Sequence, residues 1–371
     1  MAAARLQRLA SHVVEPLSPA ASPAGGLQDV ADFKMVFWGD EYQSGVFEQL
    51  REQFSHLKLV APHTEDEAAE ELKHAVAAWG RLSPSLLEAA DGAPKLRWLH
   101  NPRSGPPVGY YFPALIEHPV QVTNARGMFN DQLPVHILTL ILTLNRFMHL
   151  YRDQQASRTY KPLTAADGVT FVPLTSATVL LVGVGESGLE ASRLLKTALN
   201  VDRVLGVDAR RTGTVEWIDG PIQGPESIDS LLPEADFVVL TIPHTPETEG
   251  LFGAPQFAAM KRSACLINIA RGPTVQLDAL NDALRSGEIA GAGLDVFEVE
   301  PLPAEHGLWS APGAVITPHV AVQQIYQPGT SRSGKFAHLG DERVAETTAT
   351  NIRRFLKGEE LVNVVDKRRW F

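Results

Sequence analysis

A glycine-rich turn, Gly183-Val184-Gly185-Glu186-Ser187-Gly188, constrains the fold of this 371-residue chain more than any other feature. It follows an apolar run that predicts a strand, Ala177 to Val182, and it opens a predicted helix, Leu189 to Leu199. An acidic residue, Asp208, ends the next predicted strand 20 residues after Gly188. Glycines at this spacing permit a tight turn and let a pyrophosphate approach the amides at a helix start. The pattern therefore predicts a βαβ unit that binds a dinucleotide.

The residues after this turn bear on which dinucleotide binds. We expect Asp208 to accept hydrogen bonds from the adenosine ribose, which favours NAD because a carboxylate repels a 2′-phosphate. Arg210 and Arg211 keep NADP open as the alternative, since either cation could pair with that phosphate. Glu186 is expected to point outward or toward a ribose, and Ser187 to lie at the phosphates with the glycines.

Short apolar runs alternate with helical stretches on both sides of the glycine turn. Downstream strands are predicted at 203–207, 237–242, 264–269, 291–296 and 315–317. Upstream strands are predicted at 35–38, 57–60, 74–79, 96–99 and 121–123, in a half that carries no phosphate-binding loop. Strands that alternate with helices predict parallel sheets covered by helices on both faces.

Two longer helical patterns lie outside these repeats. The apolar stretch from Leu133 to Tyr151 predicts a helix with Asn130 or Asp131 as its N-cap. Because it is apolar on every side, we expect it to join two domains and to pack against something large, such as another subunit. A second helix is predicted from Asp341 to Lys357, with Gly358 as its C-cap.

Composition excludes several classes of protein and partner. A net charge of −10 argues against nucleic acid, and no apolar run reaches the length of about 18 residues that spans a bilayer. The single cysteine, Cys265, excludes an intrachain disulfide and a multi-cysteine metal site, and it fits a reducing compartment. We therefore expect a cytoplasmic protein with no metal. Arg5 and Arg8, in a 14-residue start that lacks acids, leave an organelle transit peptide open.

Three later segments each supply a polar residue of a different chemical type. Asn268-Ile269-Ala270-Arg271-Gly272 supplies an arginine, which can hold a carboxylate in a two-pronged grip. Asp295 to Pro301 supplies Glu300, and Thr317-Pro318-His319 supplies a histidine, which a paired carboxylate orients and favours in its protonated form. Together with a dinucleotide site, these residues predict hydride transfer to a 2-oxo acid, with Arg271, Glu300 and His319 as the catalytic set.

From about Trp98 to Lys357 the chain resembles the D-isomer-specific 2-hydroxyacid dehydrogenases. The motifs that carry the resemblance are GVGESG with Asp208, the Leu240–Gly250 segment with Ile242 and Pro243, INIARG at 267–272, AGAGLDVFEVEPL at 290–302, Leu308-Trp309 and ITPH at 316–319. The resemblance implies two Rossmann-like domains with parallel sheets, the substrate domain flavodoxin-like, and an active site in the cleft between them. It also implies a homodimer that associates through the cofactor domain.

The resemblance implies a role for each matching residue. Arg271 anchors the substrate carboxylate, His319 is the acid/base and Glu300 its partner. Ile269 and Ala270 line the nicotinamide pocket, and Asp295 lies beside the nicotinamide carboxamide. The remaining implied contacts are Ile242 and Pro243 for the cofactor, and Ser104 and Gly105 for the substrate carboxylate. Arg81, at the end of a predicted strand, could reach the distal end of the substrate or lie at the surface.

The implied domain boundaries are an N-terminal extension at 1–30, a substrate domain at 31–130 completed by 325–371, and a dinucleotide-binding domain at 131–324. The substrate expected is a small 2-oxo acid of the glyoxylate or hydroxypyruvate type. Two alternatives stay open, a dinucleotide-sensing regulatory protein on the same fold and phosphite-type oxidation. Outside the catalytic set, His100, His136 and His244 are interpreted as ordinary polar or packing residues.

Overall fold

A computed structural model describes residues 32–39, 43–91, 96–106, 109–322 and 337–371, with side chains from 45 in the second range and from 342 in the last. The predicted extension at 1–30 lies outside the described residues. The described residues form two compact units, one within 1–128 and 327–371 and one within 129–326.

The strands are two to five residues long, and those of the two main sheets are largely buried. They are β1 (Lys34–Trp38), β2 (Lys58–Val60), β3 (Ala77–Gly80), β4 (Trp98–Asn101), β5 (Gln121–Asn124), β6 (Thr178–Val182), β7 (Arg203–Val207), β8 (Gly213–Thr214), β9 (Pro221–Ile222), β10 (Phe237–Leu240), β11 (Cys265–Asn268), β12 (Gly291–Leu294) and β13 (Ala314–Ile316).

All the α-helices except the last fall between strands, as the sequence pattern predicts, and the last follows the final strand. They are α1 (Gln43–Gln53), α2 (Glu65–Leu72), α3 (Pro84–Ala89), α4 (Pro113–Glu117), α5 (Leu133–Asn145), α6 (Met148–Ala156), α7 (Glu186–Thr197), α8 (Ile228–Leu231), α9 (Ala254–Ala259), α10 (Leu277–Ser286) and α11 (Ala337–Lys357).

The first unit is built on a five-stranded parallel sheet in the order β2-β1-β3-β4-β5. This is the order of the flavodoxin-like fold. One face of the sheet packs against α1 and α11, where Phe355 lies between Trp98 and Phe33 at ring-centroid distances of 5.7 and 5.9 Å. The α/β class predicted from alternating strands and helices is confirmed for this unit.

The second unit is built on a six-stranded parallel sheet in the order β13-β12-β11-β10-β6-β7. Alternate residues of each strand enter two apolar clusters. Val179 and Leu181 pack with α5 and α7, whereas Leu180 and Val182 pack with α10. Helices therefore cover both faces, and the carboxyl ends of the strands form the edge where ligands bind in open sheets of this kind.

The predicted single helix over 133–151 is wrong in one respect, because it is two helices bent by 64°. Phe147 adopts a left-handed backbone conformation, with φ of 54°, and it is the N-cap residue of α6, directly after Arg146, which caps the end of α5. The buried side-chain amide of Asn145, at the end of α5, donates to the Val172 carbonyl at 2.7 Å. Local backbone conformation therefore overrides the continuous apolar pattern.

The predicted N-cap of this helix is also wrong. Gln132 takes the cap position without a side-chain hydrogen bond. The Asn130 side chain instead accepts from Ser187 Oγ at 3.4 Å. A proline at the start of α5, Pro134, needs no acceptor partner there, since its nitrogen carries no hydrogen to donate.

The prediction that this segment packs against something large is met within the second unit itself. Ile137, Leu140, Ile141 and Leu144 of α5 are buried against strands of the six-stranded sheet. In the part of the chain that the structure describes, no single helix is both long and apolar enough to cross a membrane, and α5 with α6 passes that test only as a bent pair.

Candidate active site and cofactor site

The glycine turn lies at the carboxyl end of β6 and leads directly into α7. A Cβ added to Gly188 would lie 2.3 Å from the Gly183 carbonyl oxygen, so only glycine permits this close approach. A Cβ added to Gly185 would meet nothing within 4 Å. The turn is therefore closed toward the protein and open at Gly185, beside the N–H groups that begin α7, which is the arrangement that a pyrophosphate needs.

Asp208, at the end of β7, is held by backbone donors. Its Oδ2 accepts from the Val184 N–H at 2.8 Å, and its Oδ1 accepts from the Arg210 and Arg211 N–H groups, each at 2.8 Å. The carboxylate thus ties the glycine turn to the turn after β7. It keeps negative charge at the point where the adenosine ribose is expected.

Acidic and basic side chains flank this carboxylate. The Arg211 guanidinium lies 3.6 Å from the Glu186 carboxylate at the start of α7, and both side chains are less than one-third exposed. Arg210 is partly buried beside them. The sequence predicts that Glu186 points outward or toward a ribose, and the structure pairs it with Arg211.

The other predicted cofactor residues follow the neighbouring strands at the same edge of the sheet. Ile242 and Pro243 come after β10 and are partly buried, and the Pro243 carbonyl accepts from Thr248 Oγ1 at 2.7 Å. Ile269 and Ala270 come after β11 and are 6% and 4% exposed. Because the strands are parallel, all these residues share one end of the sheet.

Arg271 follows Ala270 in a turn whose shape is set by short contacts. Asn268 Oδ1 accepts from the Ala270 N–H at 3.0 Å, and Thr274 Oγ1 donates to the Arg271 carbonyl at 2.6 Å. A Cβ at Gly272 would lie 1.8 Å from the Phe297 carbonyl oxygen, so this turn abuts the segment that leads to Glu300. The Arg271 guanidinium donates to the Ala270 carbonyl at 2.6 Å.

Glu300 and His319 form the central polar pair. His319 Nδ1 lies 2.7 Å from Glu300 Oε2, and Glu300 Oε1 accepts from the Phe297 N–H at 2.9 Å. Partial burial alone would raise the pKa of Glu300. The hydrogen bonds from His319 and Phe297 and the charges of His319 and Arg271 outweigh it and hold that pKa below its usual range. The carboxylate is thus kept ionised, and with Nδ1 engaged the other ring nitrogen of His319 can exchange a proton.

Asp295 has contacts that sequence reasoning missed. The side chain is fully buried, Oδ1 accepts from Thr317 Oγ1 at 2.6 Å and from the Val320 N–H at 2.8 Å, and Oδ2 accepts from the Ala321 N–H at 2.8 Å. It therefore holds the turn that carries His319. The contact of Asp295 with the nicotinamide carboxamide stays a prediction.

A second histidine joins this cluster from α5. His136 Nε2 lies 3.1 Å from Thr317 Oγ1 and 3.5 Å from Asp295 Oδ1. The sequence predicts an ordinary polar or packing role for His136, because its chain neighbours give no signal of a partner 181 residues away.

The predicted substrate residues lie at strand ends in the first unit. Arg81, after β3, is exposed and donates to the Gly109 carbonyl at 3.3 Å. Ser104 and Gly105, after β4, are partly buried, and the Ser104 carbonyl accepts from Asn124 Nδ2 at 3.3 Å. Their contacts with a substrate stay predictions.

The other two histidines considered in the sequence, His100 and His244, also have partners in the structure. His100 is buried, its Nδ1 lies 2.8 Å from Thr123 Oγ1, and burial lowers the pKa of its ring to about 3. His244 Nε2 lies 3.6 Å from Glu249 Oε2. Among the described residues, no group of three or more His, Cys, Asp or Glu side chains is arranged to hold a metal ion.

Comparisons with known proteins agree with this geometry. Residues 138–321 match the family model described as D-isomer specific 2-hydroxyacid dehydrogenase, NAD binding domain. A glyoxylate reductase of Thermofilum pendens is 32% identical over 287 residues, which cover 76% of this chain and 78% of that protein. A glyoxylate/hydroxypyruvate reductase B of Citrobacter koseri is 43% identical over 143 residues, 38% of this chain and 43% of that one.

Solved structures give the same result over a larger part of the chain. A D-isomer specific 2-hydroxyacid dehydrogenase of Xanthobacter autotrophicus, in complex with NADPH and MES, superposes with a TM-score of 0.73 at 27% identity. The match covers 92% of this chain and 100% of that one. With its two parallel sheets and its dinucleotide-binding turn, the chain belongs to the D-isomer specific 2-hydroxyacid dehydrogenase family of NAD(P)-dependent oxidoreductases.

Proposed function

We propose that the protein reduces a small 2-oxo acid of the glyoxylate or hydroxypyruvate type to the 2-hydroxy acid. The observation that carries the proposal is the His319–Glu300 pair at 2.7 Å, with the charge of Arg271 close enough to lower the pKa of Glu300. The names of the reductases from Thermofilum pendens and Citrobacter koseri support this choice of substrate.

Each side chain has a defined part in the reaction. Arg271 binds the substrate carboxylate and stabilises the negative charge that develops on the carbonyl oxygen. His319, with Nδ1 fixed by Glu300, donates the proton from its other ring nitrogen to that oxygen. A nicotinamide cofactor, when bound, would supply the hydride to C2. In the reverse direction His319 accepts the hydroxyl proton, so reduction is favoured at lower pH and oxidation at higher pH.

The residues fit a dinucleotide, and we propose NADH as the preferred form. Gly185 leaves open the space at the start of α7, and the Asp208 carboxylate carries negative charge where a 2′-phosphate would lie. Arg211, the cation that could attract such a phosphate, is paired with Glu186. NADPH is the alternative, because the Xanthobacter relative is bound to it.

Two further proposals concern the substrate and the assembly. Ser104 and Gly105 would donate backbone N–H groups to the substrate carboxylate, and Arg81 would bind a polar group at its far end. We also propose a cytoplasmic homodimer. Light scattering that gives the mass of one 40.4 kDa chain at micromolar concentration would contradict the dimer.

The test is a cofactor-oxidation assay with purified protein. NADH and then NADPH are offered with glyoxylate, hydroxypyruvate, pyruvate and bulkier 2-oxo acids, and nicotinamide absorbance is followed. We expect His319→Ala to lower kcat by about 10²–10⁴-fold, the usual contribution of a general acid. Arg271→Lys should lower kcat/KM by about 10²-fold or more, because an ammonium cannot make the two-pronged contact. Turnover by His319→Ala at the wild-type rate would overturn the proposal.

A further inference from the structure

The turn that carries His319 has a strained backbone. His319 adopts φ of 54°, a left-handed conformation that side chains other than glycine rarely take. Such a conformation persists only where surrounding contacts enforce it. Here the His319 N–H donates to the Asp295 carbonyl at 2.8 Å. The Asp295 carboxylate accepts from Thr317 on one side of His319 and from Val320 and Ala321 on the other.

The direction of the hydrogen bonds shows how His136 connects to this turn. The Thr317 hydroxyl has one hydrogen, and its shorter acceptor contact is Asp295 Oδ1 at 2.6 Å, against 3.4 Å to the Leu294 carbonyl. Thr317 Oγ1 can then only accept from His136 Nε2, which lies 3.1 Å away. His136 therefore carries a hydrogen on Nε2, and it donates into the hydroxyl and carboxylate that hold the turn.

The helix that carries His136 is a rigid support. His136 lies in the first turns of α5, and its side chain is 16% exposed. Its neighbour Ile137 is fully buried against the six-stranded sheet, as are Leu140 and Ile141 one turn later. The imidazole Nε2–H group of His136 thus has a fixed position relative to β12, the strand that ends beside Asp295.

We propose that His136 is a positioning residue for the reaction, acting through Thr317 and Asp295 on the backbone of His319. The expected effect on kcat rests on the proposed function, whereas the expected effect on the backbone around His319 does not. The partners of His136, Thr317 and Asp295, are not among the residues expected to hold the cofactor phosphates or ribose, so its loss should leave most of the NADH affinity intact. The imidazole of His319 would then sample orientations that deliver the proton poorly.

The experiment uses two substitutions of similar size. His136→Leu keeps bulk but removes the donor, and His136→Gln keeps a side-chain N–H at about the reach of Nε2. The measurements are kcat and KM for glyoxylate, the NADH Kd by fluorescence, and deuterium uptake by the peptide that spans residues 316–322. We expect His136→Leu to lower kcat by about tenfold, to raise uptake in that peptide, and to leave the NADH Kd within about twofold. His136→Gln should restore both kcat and uptake.

A double variant tests the route. Thr317→Val removes the hydroxyl that joins His136 to Asp295, so His136→Leu should add little to its effect. The proposal is overturned if His136→Leu behaves as wild type in both measurements. It is also overturned if His136→Gln lowers kcat and raises deuterium uptake as much as His136→Leu does. The role of His136 would then depend on the shape of the imidazole and not on its N–H donor. If the wild-type chain turns over none of the acids, the proposed function fails, and deuterium uptake still decides the role of His136.

Discussion

At the scale of single residues, the ionised state of Glu300 is the property that sets how the site responds to pH. Its pKa lies below the ordinary value of 4.5, so the carboxylate persists as pH falls through that value and is lost only at lower pH. Any contribution of the Glu300–His319 pair to catalysis or stability is therefore present at neutral pH. The carboxylate is one-third exposed, which limits its effect on overall stability.

Replacing Glu300 by Gln should expose this role. The amide keeps the shape but no longer stabilises the protonated imidazole, so kcat for reduction should fall by about tenfold or more. The upper pH limit of reduction should move to lower pH. Stopped-flow or steady-state rates between pH 5 and pH 9 measure both effects, with the exposed Glu305→Gln as a charge-matched control. An unchanged pH profile would contradict the assigned role.

Glu186 governs a second residue-scale property, the preference between the two nicotinamide cofactors. Glu186→Gln removes the charge that pairs with Arg211 and repels a 2′-phosphate, so kcat/KM for NADPH should rise severalfold, roughly the effect of 1 kcal/mol. The value for NADH should stay within about twofold. The control is Glu190→Gln, which breaks the Arg193 pair on the same helix, α7. Equal changes for both cofactors in Glu186→Gln would refute the assignment.

At the scale of elements, the C-terminal helix α11 supplies much of the apolar core of the first unit. Phe355 is 1% exposed and contacts Trp98 and Phe33. Phe355→Ala should lower the free energy of unfolding by about 3–5 kcal/mol, because it leaves a cavity beneath the sheet. Urea unfolding followed by tryptophan fluorescence measures it. Lys357→Ala, at an exposed position of the same helix, should change stability by no more than about 0.5 kcal/mol.

The element boundaries differ in how well local sequence predicts them. The glycine turn, the strands on either side of it and the end of α11 at Gly358 agree with prediction, because each is encoded by neighbouring residues. The break between α5 and α6 does not, since Phe147 looks like any apolar residue in a helical pattern. Its left-handed conformation becomes visible only in the folded chain.

At the scale of the whole molecule, Cys265 provides a probe of how the second unit opens. It is the single cysteine of the chain, lies on β11 and is buried, and burial raises the pKa of its thiol to about 12. At pH 8 the native thiol should react with a disulfide reagent about 10³-fold more slowly than the unfolded one, since the thiolate is the reactive form. NADH should slow the reaction further by stabilising the folded state.

The measurement is release of the reagent's chromophore in native buffer and in guanidinium chloride. Cys265→Ala, which replaces a small buried residue by one of similar size, should give no release in either condition. Fast release from the native chain would show that β11 opens far more readily than its burial implies. If NADH does not change the reaction rate of the Cys265 thiol, the opening that exposes β11 does not depend on cofactor binding.

Residue spacing along the chain is enough to predict the features that lie within one segment. The GVGESG turn, the placement of Arg271 at a strand end, and the Glu300 and His319 motifs each depend on spacing within a few residues, and the structure joins Glu300 to His319. Three contacts are visible only in the folded chain: Asp208 accepts from the Val184 N–H, 24 residues away, Arg211 pairs with Glu186, and His136 lies within hydrogen-bonding distance of Thr317. These contacts join segments that no local pattern relates, because the packing of helices on a completed sheet brings them together.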